Sequence, residues 1–319
     1  MPNSMDNPNN NNLQKIQELI DQACKIIIGK DKTVKLAVIC MLARGHLLIE
    51  DVPGVGKTTL ATCLSKLSGL SFNRVQFTND LLPADLLGYN LPIRDSLENQ
   101  FRAGPIFSNI LLADEINRAT PKTQSALLEA MEERHVSIDG ETHHLPMPFF
   151  VMATQNPLEQ HGTFPLPESQ LDRFLFCISL GYPSLQDELA LLKGSSRREE
   201  IEKLTPIFTA ESFVETQKLV DQIHASNDLI EYIQILCSQT RVTGDFVLGL
   251  SPRAAIVLLH SAKSWAWLHH RNYVLPEDVR EVFIPMARHR LRKIGSSGVH
   301  NTPLVEERLD EIILATPLP

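Results

Sequence analysis

The chain has 319 residues, with 38 acidic and 30 basic side chains and a formal charge of −8 at pH 7. Hydrophobic residues make up 43% of it, which excludes wholesale disorder, and the length suits two domains. Both sides of Leu180 are acidic, which excludes a basic module holding nucleic acid or an anionic membrane through bulk charge. Five scattered cysteines (Cys24, Cys40, Cys63, Cys177 and Cys237) form no CxxC pair, against a disulfide framework or zinc site and in keeping with a reducing cytosol. The apolar stretch at 37–48 is interrupted by Arg44 and His46 and is too short to span a bilayer. With no secretory signal at the start, a cytoplasmic protein is expected.

In chain order, the Asn-rich residues 1–12 read as a disordered tail. Residues 13–28 repeat apolar side chains at helical spacing until Gly29 stops them. Five short apolar runs follow, at 46–50, 74–77, 110–114, 149–154 and 174–180, each expected to be a buried strand. A helix at 58–67, ended by Gly69, follows the first run, and another at 122–133 follows the third. Alternating strands and helices imply an α/β core over residues 13–180, a parallel sheet sandwiched by helices. Two polar inserts, at about 90–107 and 134–145, read as hairpins, the second turning at Asp139-Gly140. From 181 to 319 the pattern is helical, with Pro252 and Pro276 where helices begin, so an all-helical second domain is expected.

The sharpest local signal is Asp51-Val52-Pro53-Gly54-Val55-Gly56-Lys57-Thr58, directly after a strand and opening a helix. Clustered backbone N–H groups and a helix N-terminus suit a phosphate chain, and glycines let the backbone curl around it. Asp51, Pro53, Gly54, Val55, Gly56, Lys57, Thr58 and Thr59 are therefore the expected nucleotide-binding set. Lys57 would meet the β- and γ-phosphates and Thr58 the Mg²⁺. Asp51 stands where the motif has glycine. Further on, the strand at 110–114 ends in Asp114-Glu115. By itself this pair fits a helix cap equally well. Joined to the glycine loop it suits a grip on Mg²⁺ by Asp114 and activation of water by Glu115.

These strings, with Gln76-Phe77-Thr78, Gly104-Pro105-Ile106-Phe107, Asn117-Arg118, Ala153-Thr154-Gln155-Asn156-Pro157, Leu171-Asp172-Arg173-Phe174 and Ser251-Pro252-Arg253-Ala254, resemble the MoxR group of AAA+ ATPases. The resemblance implies a P-loop NTPase core followed by a helical lid, with ATP and Mg²⁺ held between them at the edge of a subunit interface. It also implies catalytic roles for Lys57 and Glu115, with Asn156 as sensor 1, Arg173 as an arginine finger lent to a neighbouring subunit, and Arg253 as sensor 2. The residues alone leave an Asn-Pro turn, a surface ion pair and an exposed helix start as alternatives for those last three. A homohexameric ring, a client protein and a partner with a von Willebrand A-type domain are further implications, with chaperone-like activation of the client as output.

Phe101 and the His143-His144 pair sit in the hairpins that such a ring would turn toward its pore; packing within the hairpins is the plainer alternative. The basic run at 288–293 reads as a solvated helix face favoured by the helix dipole. Competing functions are an NTP-driven motor on nucleic acid of the McrBC kind, a magnesium-chelatase-type motor subunit, and a switch that binds nucleotide without hydrolysing it.

Overall fold

Apolar runs without polar alternation are stable as strands only where both faces of the sheet are covered. The computed structural model, which describes residues 8–92, 99–157, 162–193, 197–295 and 302–319, has that arrangement for four of the five expected strands. The run at 74–77 is not a buried strand, because the strand there spans 72–76 at the sheet edge with Arg74 and Gln76 exposed. Helices α1 (Pro8–Ile26) and α2 (Asp31–Leu42) precede β1 (Leu47–Glu50), α3 (Lys57–Ser68) and β2 (Phe72–Gln76). A short α4 (Pro83–Leu87) leads into the hairpin of β3 (Gly88–Pro92) and β4 (Asn99–Ala103). Then come β5 (Ile110–Asp114), α5 (Pro121–Glu133), and the hairpin of β6 (His135–Ile138) and β7 (Glu141–His144). The sheet is completed by β8 (Phe150–Gln155), α6 (Glu168–Leu171) and β9 (Phe176–Ile178). The remainder is helical: α7 (Leu185–Lys193), α8 (Arg197–Glu202), α9 (Ala210–Asp221), α10 (Asn227–Val242), α11 (Pro252–Leu268), α12 (Pro276–Ala287) and α13 (Thr302–Ala315).

The main sheet is parallel throughout, in the order β2-β5-β8-β1-β9, with Leu47 opposite both Met152 and Phe176. Successive strand residues point to opposite faces. Leu47, Ile49, Ile110, Leu112 and Met152 therefore meet α1, α2 and α3, whereas Leu48, Leu111, Ala113 and Val151 meet Leu127, Leu128 and Met131 of α5. The first apolar cluster continues without a break into α10, α11, α12 and α13, so the helical segment packs on the same core that supports the sheet.

Two further expectations need correction. Helix α1 begins at Pro8, so Asn9, Asn10, Asn11 and Asn12 form its first turns and do not belong to the tail; residues 1–7 lie outside the described residues. The basic run at 288–293 is no solvated helix face, because α12 ends at Ala287 and the run turns back onto the core. Arg290 is nearly enclosed, pairs with Asp172 at 2.7 Å, and donates to the carbonyls of Asp172, Phe174 and Leu175. Arg288 reaches Glu306 at 2.8 Å and Glu50 at 3.6 Å.

Both inserts are antiparallel hairpins, and residues 93–98 of the first lie outside the described residues. Asp139 and Gly140 both take positive φ, 51° and 86°, as a two-residue hairpin turn requires. The hairpins grip each other. Phe101 stacks on His143 with ring centroids 3.8 Å apart, and Asn90 Nδ2 donates to Asp139 Oδ2 at 2.9 Å. Phe101 and His143 thus pack against one another, the plainer of their two readings.

At the start of β1, His46 is buried; its Nδ1 accepts the N–H of Val151 at 3.0 Å and its Nε2 lies 3.2 Å from the carbonyl oxygen of Met131. With Nδ1 accepting, the ring proton sits on Nε2 and the neutral ring satisfies both partners. Burial pushes the His46 pKa down to about 4. The folded state then binds fewer protons than the unfolded state between about pH 6.5 and pH 4, so stability is intact above that window and declines as pH falls through it. About 3 kcal/mol is at stake. Urea denaturation at pH 7 and pH 4.5 is expected to show this loss in the parent and a smaller one in His46→Gln. Equal losses in the two proteins would sink the assignment.

Candidate functional site

The C-terminal edge of the sheet collects the chain's most specific residues. Beyond β1 the loop curls through Gly54 (φ 85°) and Gly56 (φ 99°), a conformation that L side chains rarely adopt, and a Cβ on either would meet nothing within 4 Å. Glycine is needed there for backbone geometry, and the space above the loop is open. Gly56 caps α3, so the first N–H groups of that helix face the same opening. Lys57 is buried, its Nζ folded back to donate to the carbonyl oxygen of Asp51 at 2.9 Å. Burial lowers its pKa, while the carboxylates of Asp114, Asp51 and Glu115 pull the other way. Thr58 and Thr59 follow in the first turn of α3, and Pro53 stands exposed at the rim. Val55 packs on the core beneath the loop.

Asp51 has a different task from the one expected of it. Its Oδ2 accepts the N–H groups of Leu180 and Gly181 at 2.6 and 2.7 Å, and its Oδ1 accepts the N–H of Val52 at 2.9 Å. The carboxylate is thereby committed to the backbone where the chain leaves β9. It ties the loop to the start of the helical segment and does not face the opening.

Asp114 ends β5, with Oδ1 accepting from Thr154 Oγ1 at 2.6 Å and Oδ2 paired with Arg74 Nη2 at 2.6 Å. Thr154 Oγ1 also accepts the N–H of Glu115 at 2.9 Å, so one hydroxyl pins both acidic residues to β8. Glu115 takes a left-handed φ of 57°, the kind of strain that persists only where its surroundings impose it. Its Oε2 accepts from Gln76 Nε2 at 2.7 Å and lies 3.2 Å from Arg118 Nε. Asn156 is buried immediately after β8, and because Gln155 lies opposite Glu50 it stands level with the start of the glycine loop. Sheet order therefore sets Asn156 between the Asp114-Glu115 pair and Lys57. Arg74, Gln76 and Thr154 had no assigned role in the sequence. The one local signal was a polar Thr154 in the otherwise apolar run at 149–154; the exposed Arg74 and Gln76 of the edge strand β2 gave none.

Arg173 and Arg253 are elsewhere. Arg173 precedes β9 at the N-terminal edge, and Arg253 opens α11 beside it. Both pair with Glu132 of α5, Arg173 through Nε at 3.1 Å and Arg253 through Nη1 at 2.7 Å. They border a cavity of about 160 Å³ that Gly45 and His46, on the entry side of β1, also line. The four residues of β1 separate this edge from the glycine loop by about 13 Å. The resemblance gives Arg253 as sensor 2 without fixing whether it acts in its own or a neighbouring subunit; its side chain pairs with Glu132 at this edge, across β1 from the glycine loop.

A five-stranded parallel sheet with a glycine loop after β1, paired acids after β5 and an appended helical lid defines an AAA+-type nucleotide-binding protein. The family model for ATPases associated with various cellular activities matches residues 46–176, and that for the AAA lid domain matches residues 238–312. Protein YeaC of Bacillus subtilis is 48% identical over 82% of this chain and 82% of its own. Chaperone MoxR1 of Mycobacterium tuberculosis is 40% identical over 86% of this chain and 75% of its own. The crystal structure of an ATPase candidate from Cytophaga hutchinsonii superposes with a TM-score of 0.87 at 36% identity, covering 97% of this chain and 96% of that one. The chain belongs to the MoxR family of AAA+ ATPases. Among the described residues no helix is long and apolar enough to cross a membrane.

Proposed function

We propose that the protein binds ATP with Mg²⁺ on the loop from Gly54 to Thr59, hydrolyses it between adjacent copies of itself, and uses the cycle to remodel a client protein. The observation that carries this reading is the separation of the two groups of functional residues. The phosphate loop with Asp114, Glu115 and Asn156 occupies one edge of the sheet, and Arg173 with Arg253 the other. A head-to-tail contact between identical subunits brings one copy's arginines to the next copy's loop, and repetition of such a contact closes into a ring. Six subunits, and a partner with a von Willebrand A-type domain, are the family's expectation. That MoxR1 bears the name of a chaperone supports remodelling as the output.

The donor set suits Mg²⁺. Among the described residues no cluster of three or more His, Cys, Asp or Glu side chains could cage a metal. Mg²⁺ needs none, since it binds through one or two protein oxygens, substrate phosphates and water. Thr58 Oγ1 and, through water, Asp114 are the groups that would hold it. Such an ion, when bound, would supply neutralisation of phosphate charge. Lys57 would draw on the same charge, Glu115 and Asn156 would orient the attacking water, and the neighbour's Arg173 and Arg253 would meet the terminal phosphate. Arg74, already paired with Asp114, and Gln76, bonded to Glu115, would hold those two acids in place.

Lys57→Ala tests the cradle. Truncating one partner of a buried charge interaction costs about 2 kcal/mol or more, so Mg·ATP affinity by calorimetry is expected to fall about 30-fold or further. Unchanged affinity in folded protein would remove the loop from the mechanism.

A further inference from the structure

The cavity at the N-terminal edge gathers the guanidinium groups of Arg44, Arg134, Arg173, Arg253 and Arg290 around two lining carboxylates, Glu132 and Asp172. Two of the arginines are committed elsewhere. Arg290 Nε pairs with Asp172 Oδ1 at 2.7 Å, and Arg44 is held by both oxygens of Asp221 at 2.7 and 3.1 Å. Glu132 is shared, with Oε2 3.1 Å from Arg173 Nε and Oε1 2.7 Å from Arg253 Nη1. One planar group therefore sets the distance between two side chains that come from different parts of the chain and would otherwise repel.

Helix electrostatics sharpen the point. Glu132 lies in the last turn of α5, where the helix dipole disfavours an anion, and Arg253 lies in the first turn of α11, where it disfavours a cation. Neither placement helps its own helix; each charge is offset by the other. The start of α11 is itself fixed, because Ser251 Oγ accepts the N–H of Ala254 at 3.2 Å. The bonds to Glu132 engage Nε of Arg173 and Nη1 of Arg253. Those contacts leave the terminal nitrogen pair of Arg173 as an edge suited to two phosphate oxygens.

We propose that Glu132 is the positioning residue for this pair, presetting Arg173 and Arg253 as one clamp for the terminal phosphate of the adjacent subunit's nucleotide. The inference rests on the reading that the two arginines act across the interface. It assigns Glu132 no contact with the nucleotide, so its loss acts on turnover and not on binding. The shared carboxylate also makes the two arginines interdependent, since displacing either alters the charge the other faces.

The test uses assembled full-length protein and Mg·ATP. Glu132→Gln keeps the shape of the side chain and removes its charge. It is expected to lower kcat about 10- to 100-fold, with the nucleotide dissociation constant within about threefold of the parent. Mixing it with Lys57→Ala is expected to restore turnover, because the intact clamp of the Lys57→Ala subunit then serves the intact loop of its neighbour. Parental kcat in folded Glu132→Gln overturns the proposal, as does a loss that appears only as weaker binding. Should Glu132→Gln not fold, Glu132→Asp carries the test, its shorter carboxylate being unable to span both guanidinium groups. A kcat loss of about threefold or more at unchanged affinity supports positioning, and full kcat overturns it. If Arg173→Ala also keeps full turnover, the interface reading falls with it; if Arg173→Ala is inactive while the Glu132 variants are not, only the role of Glu132 falls.

Discussion

Arg173→Ala is expected to bind Mg·ATP as the parent does and to hydrolyse it about 10³–10⁵ times more slowly, the range over which arginine fingers act in other NTPases. The residue sits across the sheet from its own phosphate loop, so its removal leaves Gly54, Gly56, Lys57 and Thr58 untouched. Its backbone is held independently of its side chain, since Arg290 donates to the carbonyls of Asp172, Phe174 and Leu175 on either side of it. Truncation therefore deletes a charge without loosening the segment that carries it. The decisive measurement is complementation. Neither Arg173→Ala nor Lys57→Ala turns over alone, but in a random equal mixture roughly a quarter of the interfaces join an intact loop to an intact arginine. Activity returning in proportion, in assemblies that contain both variants, is the expected outcome. No recovery in such assemblies would overturn the assignment of Arg173 to a neighbouring subunit's nucleotide.

What could be read from the sequence divides along a physical line. The loop at Asp51-Val52-Pro53-Gly54-Val55-Gly56-Lys57-Thr58 and the Asp114-Glu115 pair are local strings, because phosphate and metal must be met by groups on one turn of backbone or at one strand end. Four of the five strands were legible for a related reason: a parallel sheet buried on both faces requires short continuous apolar runs. The edge strand β2, by contrast, carries Asn73, Arg74 and Gln76 and is only partly buried. Helix α2 was not anticipated as a helix, since its residues from Leu36 to Leu42 are all buried and its pattern has no polar face to betray a helical period. Arg74, Gln76, Thr154 and Glu132 had no role legible in the sequence, because strand order and helix packing, not sequence neighbours, bring them to the acids and arginines they contact. The basic run at 288–293 misled in the opposite direction. A cluster of charges normally means solvent, yet Arg290 finds its carboxylate and carbonyls more than 100 residues away along the chain, and Arg288 is held between Glu306 and the distant Glu50. Asp51 is a similar case. Its position invites a role toward phosphate, and only the fold shows its carboxylate taken by Leu180 and Gly181.

Glu115→Gln is expected to separate binding from hydrolysis more cleanly than any other single change. Removing a group that takes a proton from attacking water costs about 10²–10⁴ in rate, whereas the proposed phosphate cradle would use the backbone N–H groups at the start of α3 and Lys57, which this substitution does not touch. The side chain is already fixed: Gln76 Nε2 donates to Oε2 at 2.7 Å, Arg118 Nε lies 3.2 Å away, and the main chain is locked in a left-handed φ of 57° with its N–H on Thr154. A glutamine is isosteric and keeps one acceptor oxygen for Gln76, so the fold should survive while the base is lost. Single-turnover assays with radiolabelled ATP are expected to show nucleotide retained and uncleaved, and near-parental affinity by calorimetry. If the remodelling reading is right, the trapped state should also hold its client, which gives a direct route to that client by capture from native extract. Parental turnover in Glu115→Gln would mean that another group activates water. Asn156, the buried amide that sheet order sets beside it, cannot take up a proton at neutral pH, and neither can an arginine, so the base would have to be another carboxylate.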